Sequence, residues 1–159
     1  MTTGHQLPMA LRAAYLALHR RSDATFARHG VTADQFVLLA TLAHGGHALT
    51  QRELARRMPS DPSTVRAMLV LLEWRGLVGR DAHPTDGRAR TVTLTAAGRR
   101  ALGKLWAAGE PIRAGMLAAL TPGEADTLVG LLARVAGVLA SEAAPAADRV
   151  PLTHSEDDA

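Results

Sequence analysis

The sequence predicts a mainly α-helical protein that contains one short β-hairpin. Hydrophobic residues make up 47% of the chain but aromatic residues only 3%, so small and aliphatic side chains must build the core, and this composition favours helices over sheets. Helix start and stop signals recur along the chain, whereas strand-like runs occur in one place. The length of 159 residues suits a single folding unit.

Two helices are predicted before residue 46. The first covers residues 9–28, after Pro8, and has apolar side chains at helical spacing: Leu11, Ala14, Tyr15 and Leu18. The second begins at a capping box formed by Thr32 and Gln35 and ends at Gly45-Gly46. Its predicted apolar face consists of Phe36, Leu39, Ala40 and Ala43.

A short third helix and a longer fourth helix follow, with a tight turn between them. Thr50 and Glu53 form the capping box of the third helix, QRELARRM, whose Leu54, Ala55 and Met58 point inward. Asp61 caps the fourth helix, which extends to Arg75. The residues that face the third helix are Val65, Met68, Leu69 and Leu72. This spacing is typical of a helix-turn-helix.

A hairpin is predicted directly after the fourth helix. The strand-like runs Leu77-Val78 and 91–94 flank the polar segment DAHPTDGRAR, in which Pro84 and Asp86-Gly87 favour a turn. A hairpin in this position is a wing. The predicted fold is therefore a winged helix-turn-helix with a two-stranded β wing.

Further helices are predicted after the hairpin. Thr95 caps a fifth helix, and Pro111 within it should kink the helix or split it. Thr121-Pro122-Gly123-Glu124 combines a capping box with a proline at the first helical position and begins the last helix. The apolar residues of that helix are Leu128, Leu131, Leu132, Val135, Val138 and Leu139. Residues 141–159 are rich in alanine, proline and acid and predict a disordered acidic tail.

The positive charge is concentrated in the helix-turn-helix and the hairpin. Residues 50–104 hold eleven basic and five acidic side chains, a net charge of +6, although the whole chain carries only +3. Ten of the eleven are arginines, whose guanidinium groups suit phosphates and base edges and equally suit carboxylates on a solvated surface. The charge pattern alone leaves both interpretations open.

Several function classes are disfavoured by what the sequence lacks. The absence of cysteine excludes disulfides, thiolate metal sites and thiol redox sensing. There is no GxSxG, P-loop or HExxH motif, so we do not expect an enzyme, and we expect no cofactor. His44 and His47 flank a glycine pair without clustered acids, so no metal site is expected. No stretch approaches about 18 apolar residues, which predicts a cytoplasmic protein without a membrane partner.

Residues 49–102 resemble the core of the MarR family of bacterial transcription regulators. The resemblance covers the helix-turn-helix, a D-x-R wing signature at Asp86 and Arg88, and the L-T-x-x-G-R run that begins at Leu94. It implies a homodimer whose first and last two helices intertwine with those of a second subunit. The expected organisation is a dimerisation helix in 1–30, a winged helix-turn-helix in 31–94, dimerisation helices in 95–140 and the tail in 141–159.

Eight residues are candidates for DNA contact. Ser63, Thr64 and Arg66 lie in the first turns of the recognition helix, which reach base edges in the major groove; the alternative is that Ser63 and Thr64 only support the cap. By resemblance, Arg88 enters the minor groove and Asp86 holds the turn, with Arg90 beside them; the alternative is a solvated wing. Weaker candidates for phosphate contact are Gln51 and Arg52.

The fourth helix departs from the family, which commonly carries polar or charged residues where this chain has Ala67, Val70 and Leu71. Because position 67 carries alanine and not an arginine, we expect Arg66 to make the hydrogen bonds to the bases instead. The apolar surface either packs against the wing or first helix or lines a pocket for an effector. The candidate pocket residues are Tyr15, His19, Val70, Leu71, Trp74 and Trp106.

The sequence analysis therefore predicts sequence-specific binding of double-stranded DNA by a homodimer at a palindromic operator. The family resemblance implies a transcriptional repressor that responds to a small amphipathic or phenolic ligand. The alternative is a winged-helix interaction module whose basic wing binds an acidic protein partner.

Overall fold

The computed structural model describes residues 3–46 and 48–142, which form helices and one antiparallel sheet. These residues fall into two compact units, which divide after Gly115. The helices are α1 (Thr3–Ala27), α2 (Ala33–His44), α3 (Gln51–Arg57), α4 (Pro62–Trp74), α5 (Ala96–Ala108), α6 (Glu110–Ala118) and α7 (Pro122–Glu142), and the strands are β1 (Leu49–Thr50), β2 (Val78–Ala82) and β3 (Arg90–Leu94). The predicted winged helix-turn-helix is confirmed.

Helix starts follow the predicted capping chemistry. At α2, the backbone N–H of Gln35 donates to Thr32 Oγ1 at 3.1 Å, and the backbone N–H of Thr32 donates to Gln35 Oε1 at 3.1 Å. The reciprocal bonds also form between Thr50 and Glu53 at α3 and between Thr121 and Glu124 at α7. Each box satisfies two backbone N–H groups, one of them within the first helical turn.

Two details of the first helices differ from the prediction. Helix α1 includes residue 3, so Pro8 lies inside it rather than before it. A proline at this point removes one backbone hydrogen bond, and the following turns continue the helix. In α2 the buried leucines are Leu38, Leu39 and Leu42, while Ala43 is exposed, because the buried face is centred on Gln35, Leu38 and Leu42 and Ala43 lies to one side of it.

The sheet contains a third strand that the sequence analysis did not predict. The predicted hairpin is present as β2 and β3, which pair from Val78 opposite Leu94 to Ala82 opposite Arg90. Strand β1 adds to the other edge of β3, with Leu49 opposite Val92. Two residues are too few to show the alternation by which a strand is recognised in sequence.

The core of the first unit joins the helix-turn-helix to the sheet and to α5. Helix α4 buries the predicted face, and α3 buries Leu54 and Ala55 against it. The largest fully buried side chains are Leu38, Leu39, Leu54, Val65, Leu69, Leu72, Thr91, Val92 and Leu105. This single cluster holds α4 and the hairpin on one rigid base.

Pro111 splits the predicted fifth helix. Helix α5 ends at Ala108, Gly109 is its C-cap, and α6 begins at Glu110 with Pro111 in its first turn, where the missing N–H has no helical acceptor to lose. The N–H of Arg113 then donates to the carbonyl of Gly109 at 3.2 Å.

The second unit contains the last predicted helix. Helix α7 continues to Glu142, two residues past the predicted boundary at 140, and the rest of the predicted tail lies outside the described residues. Its leucines and valines are largely exposed. Within residues 3–46 and 48–142, no helix combines the length and the apolar character that a membrane span requires.

Candidate nucleic-acid interface

The start of α4 is held by Asp61. Its Oδ2 accepts the backbone N–H groups of Ser63 at 3.0 Å and Thr64 at 3.2 Å, and it also accepts the Ser63 hydroxyl. The hydrogen bond from the Ser63 side chain, followed by the one from the Thr64 backbone, lowers the pKa of Asp61 below its ordinary value. Ser63 and Thr64 are exposed, so both help to form the cap and both remain accessible at the helix surface.

The outer face of α4 carries one basic side chain and an apolar row. Arg66 is exposed, and no carboxylate of the described chain lies within ion-pair distance of it. Ala67 is also exposed, and the exposed fractions of Val70, Leu71 and Trp74 are 56%, 54% and 86%. Packing against the wing or the first helix therefore does not cover this surface, contrary to one of the two expectations.

Gln51 and Arg52 form the first turn of α3. Gln51 is half-buried and Arg52 is exposed. The cap before them orders this turn, because the side chain of Glu53 accepts the backbone N–H of Thr50 at 2.7 Å. That hydrogen bond is the main reason that the pKa of Glu53 is lowered. The first turn of α3 thus presents an amide and a guanidinium group on an ordered backbone.

The wing turn is organised by two side chains. Asp86 Oδ1 accepts the backbone N–H of Arg88 at 3.0 Å, which orders the backbone next to the exposed guanidinium group. His83 Nδ1 accepts the N–H groups of Thr85 at 3.2 Å and Asp86 at 3.0 Å. Arg90 is exposed at the start of β3. Sequence reasoning missed His83, since only its position three residues before Asp86 in a turn could have indicated this role.

The L-T-x-x-G-R run joins the wing to α5. Thr95 caps α5, and its Oγ1 also donates to the carbonyl of Gly76 at 2.6 Å. A Cβ atom on Gly98 would lie 1.9 Å from the carbonyl oxygen of Leu77, so only glycine permits this approach. Arg99 donates to the carbonyl of Leu94 at 3.1 Å. The run therefore fixes the base of the hairpin against the helix that follows it.

The predicted effector residues lie in three separate places. Tyr15 stacks on His19 with ring centroids 5.5 Å apart, and His19 Nε2 lies 3.1 Å from Asp23 Oδ2. Asp23 also accepts the N–H of Ala33 at 2.6 Å, so this pair belongs to a polar connection between α1 and α2. Val70, Leu71 and Trp74 occupy the outer face of α4.

Trp106 occupies the third place. The Arg113 guanidinium carbon lies 3.9 Å from the centroid of its ring system, and the ring of Phe36 lies 6.3 Å away. Trp106 also lines an open cavity of about 310 Å³ together with Ala40, His44, Arg99, Leu102 and Gly103. None of the other five predicted effector residues lines this cavity.

Comparison with known proteins agrees with this architecture. The MarR family model matches residues 29–89. A protein of Thauera aromatica, named as a transcriptional regulatory protein for the hcr operon, is 32% identical over 131 residues, which cover 82% of this chain and 78% of that protein.

Two solved structures extend the likeness to most of the fold. One is a transcriptional regulator from Pseudomonas aeruginosa, with 35% identity and a TM-score of 0.68 over 82% of this chain and 96% of that chain. The other is Bordetella bronchiseptica BpsR, whose DNA binding is regulated by 6-hydroxynicotinic acid, with 29% identity and a TM-score of 0.73 over 81% and 91% of the two chains. The chain therefore belongs to the MarR family of winged-helix transcriptional regulators.

Proposed function

We propose that the chain binds a palindromic operator in double-stranded DNA as a homodimer and represses transcription until a small ligand weakens that binding. One observation carries the proposal. A single rigid core presents both an exposed recognition helix and an ordered wing turn that bears exposed arginines. The related BpsR structure concerns DNA binding, which supports assigning the same activity to this basic surface.

The first turns of α4 enter the major groove in this proposal. A helix fits that groove, and its N-terminal residues reach the base edges. Arg66 is exposed and carries five donors, so it can engage a guanine through two hydrogen bonds, worth about 1–3 kcal/mol of discrimination. Ser63 and Thr64 contact phosphate or base edges beside it.

The wing contacts the neighbouring minor groove. Arg88 projects beside a turn that Asp86 and His83 hold in shape, so less entropy is lost when the guanidinium group becomes fixed in the groove. A narrow minor groove concentrates negative potential and attracts arginine. Arg90 contacts the phosphates that flank the groove, and Gln51 and Arg52 contact phosphates from the start of α3.

The homodimer is inferred from unpartnered apolar side chains at both ends of the chain. Helix α7 exposes a row of leucines and valines, and α1 exposes Leu7, Met9, Tyr15 and Leu18. A second copy would remove these surfaces from water. A two-fold dimer presents two recognition helices and therefore favours a palindromic site with half-sites about 34–36 Å apart or a multiple of that distance.

The proposed ligand is small and amphipathic or phenolic. BpsR responds to a hydroxylated aromatic acid, and the cavity beside Trp106 offers this chain an aromatic wall together with His44 and Arg99. A ligand changes operator affinity only if it binds one arrangement of the dimer more tightly than the other. We therefore expect the ligand to lower the affinity of the dimer for its operator.

The DNA-binding proposal is tested by electrophoretic mobility shifts on operators selected from genomic fragments. Arg88→Ala should weaken binding to all sequences, whereas Arg66→Ala should weaken binding and also relax the preference at one operator position. Arg28→Ala, at an exposed arginine outside the proposed DNA and dimer surfaces, serves as the matched control.

Salt dependence provides the second readout. Operator affinity of the unaltered chain should fall steeply with salt, with a log–log slope of several units, because bound arginines release counterions from the phosphates. Binding that is absent at low salt, or that is equal in Arg66→Ala, Arg88→Ala and the control, contradicts the proposal.

A further inference from the structure

The outer face of α4 has a continuous apolar stripe, which consists of Ala67, Val70 and Trp74 and follows Ser63 at the helix start. At 100° per residue, these four positions lie within about 60° of one another around the helix axis. They point away from Val65 and Leu72, which are fully buried. The stripe is therefore the part of α4 that lies deepest in a groove once the helix enters it.

Hydrogen-bonding capacity on this face is confined to its first turns. The Ser63 hydroxyl donates to the Asp61 carboxylate, and Arg66 lies to one side of the stripe, about 40° from Val70, its nearest member. The stripe positions after Arg66 carry neither a donor nor an acceptor except the indole N–H of Trp74 at the last helical position. Bases opposite Ala67 and Val70 thus meet methyl groups only.

The major groove offers one apolar feature at base level, which is the C5-methyl group of thymine. We propose that Ala67 and Val70 read thymine methyl groups in each operator half-site, next to the base that Arg66 contacts. The inference rests on the proposed DNA binding and specifies the sequence class that the recognition helix selects. The net charge of +6 in residues 50–104 favours a partner whose apolar groups are bordered by phosphates, as thymine methyls are.

The spacing along the helix places these contacts on neighbouring bases. Val70 lies four residues after Arg66, which corresponds to about 6 Å along α4, and stacked base pairs are about 3.4 Å apart. An arginine-bound guanine should therefore be followed within one or two base pairs by a thymine in the selected operators.

The test replaces operator thymines by deoxyuridine, one position at a time in both half-sites. This change removes one methyl group and keeps every hydrogen bond of the base pair. At one or two positions per half-site, we expect affinity for the full-length chain to fall roughly fourfold for each methyl group lost. Fluorescence anisotropy at constant salt measures the affinity for the thymine operator and for each deoxyuridine operator, and the ratio of the two is compared.

Two variants connect the ratio to the stripe. At the base that Val70 contacts, Val70→Ser should bring the ratio of thymine-operator to deoxyuridine-operator affinity close to one. A serine hydroxyl group makes no favourable apolar contact with the thymine methyl group. Val37→Ser makes the same substitution at an exposed valine of α2, outside the proposed DNA and dimer surfaces, and should leave the ratio unchanged.

Four outcomes count against the inference or its basis. If operator binding is normal but no deoxyuridine position weakens it, or if Val70→Ser keeps the full ratio, methyl readout is wrong while DNA binding stands. If no duplex binds at low salt, the proposed function itself fails. Selected operators without thymine near the Arg66 contact would also overturn the inference.

Discussion

The helix-turn-helix and α7 have similar sequence signals and opposite degrees of burial. Helix α4 begins at a capping aspartate followed by proline, and α7 begins at a capping box followed by proline. Both carry leucines and valines at helical spacing. In α4 the apolar face is buried, with Val65, Leu69 and Leu72 fully covered. In α7 the exposed leucines and valines are 40–69% accessible, and they are Leu128, Val129, Leu131, Leu132, Val138 and Leu139.

The comparison shows that an amphipathic pattern requires a covering surface but does not say which chain supplies it. For α4 the cover comes from α3, the sheet and α2 of the same chain. For α7 we propose that a second copy supplies it. The helix-turn-helix should therefore respond to substitution through its folding stability, and α7 should respond through association.

The largest expected effect tests the close packing of the winged region. Gly98→Ala should destabilise the fold by about 3 kcal/mol, because the new methyl group would overlap the carbonyl of Leu77 and force α5 from the base of the wing. Urea unfolding followed by circular dichroism measures the change.

Gly103→Ala on the same helix is the matched control. Its added methyl group would meet no atom within 4 Å, so this variant should gain about 0.5–1 kcal/mol from the lower backbone entropy of alanine. Equal free energies of unfolding for the two variants would show that the short distance between Gly98 and the Leu77 carbonyl does not exclude a side chain at residue 98.

A second prediction concerns association through α7. Leu132→Asp should raise the dimer dissociation constant roughly a hundredfold, because the proposed interface would lose two copies of a leucine and gain two charges. Sedimentation across a concentration series measures the constant. Ala133→Asp places the same charge on the other side of α7 and should leave the dimer intact; a Leu132→Asp variant that remains equally dimeric would contradict the assignment of this face.

The smallest expected effect concerns the cap of α4. Folding lowers the pKa of Asp61, so its carboxylate stabilises the folded state above its ordinary pKa of 3.8. That contribution is lost as the pH falls through the lower pKa of the folded state. Asp61→Ala should reduce the melting temperature by a few degrees at pH 7, and the difference from the unaltered chain should shrink in acid.

Asp126→Asn changes an exposed aspartate of α7 that caps no helix, and it should leave the melting temperature unchanged at every pH. If the Asp61→Ala difference persisted undiminished in acid, the stabilisation would not come from the ionised cap.

Much of the local structure could be predicted from the sequence. The three capping boxes, the Asp61 cap and the buried face of α4 all agree with the structure, and so does the hairpin after α4. Strand β1 could not be predicted, because two residues show no periodicity and its partner β3 lies about forty residues later in the chain.

The sequence by itself determined where most helices begin, because a cap involves residues only two or three positions apart and its hydrogen bonds form wherever that segment becomes helical. The tertiary structure alone decided that Gly98 must lack a side chain, that the outer face of α4 stays uncovered, and that the aromatic residues of α1, α4 and α5 do not share one pocket. These features depend on which distant segments meet, and proximity between distant segments is set by the packing of the whole core rather than by any local run of residues.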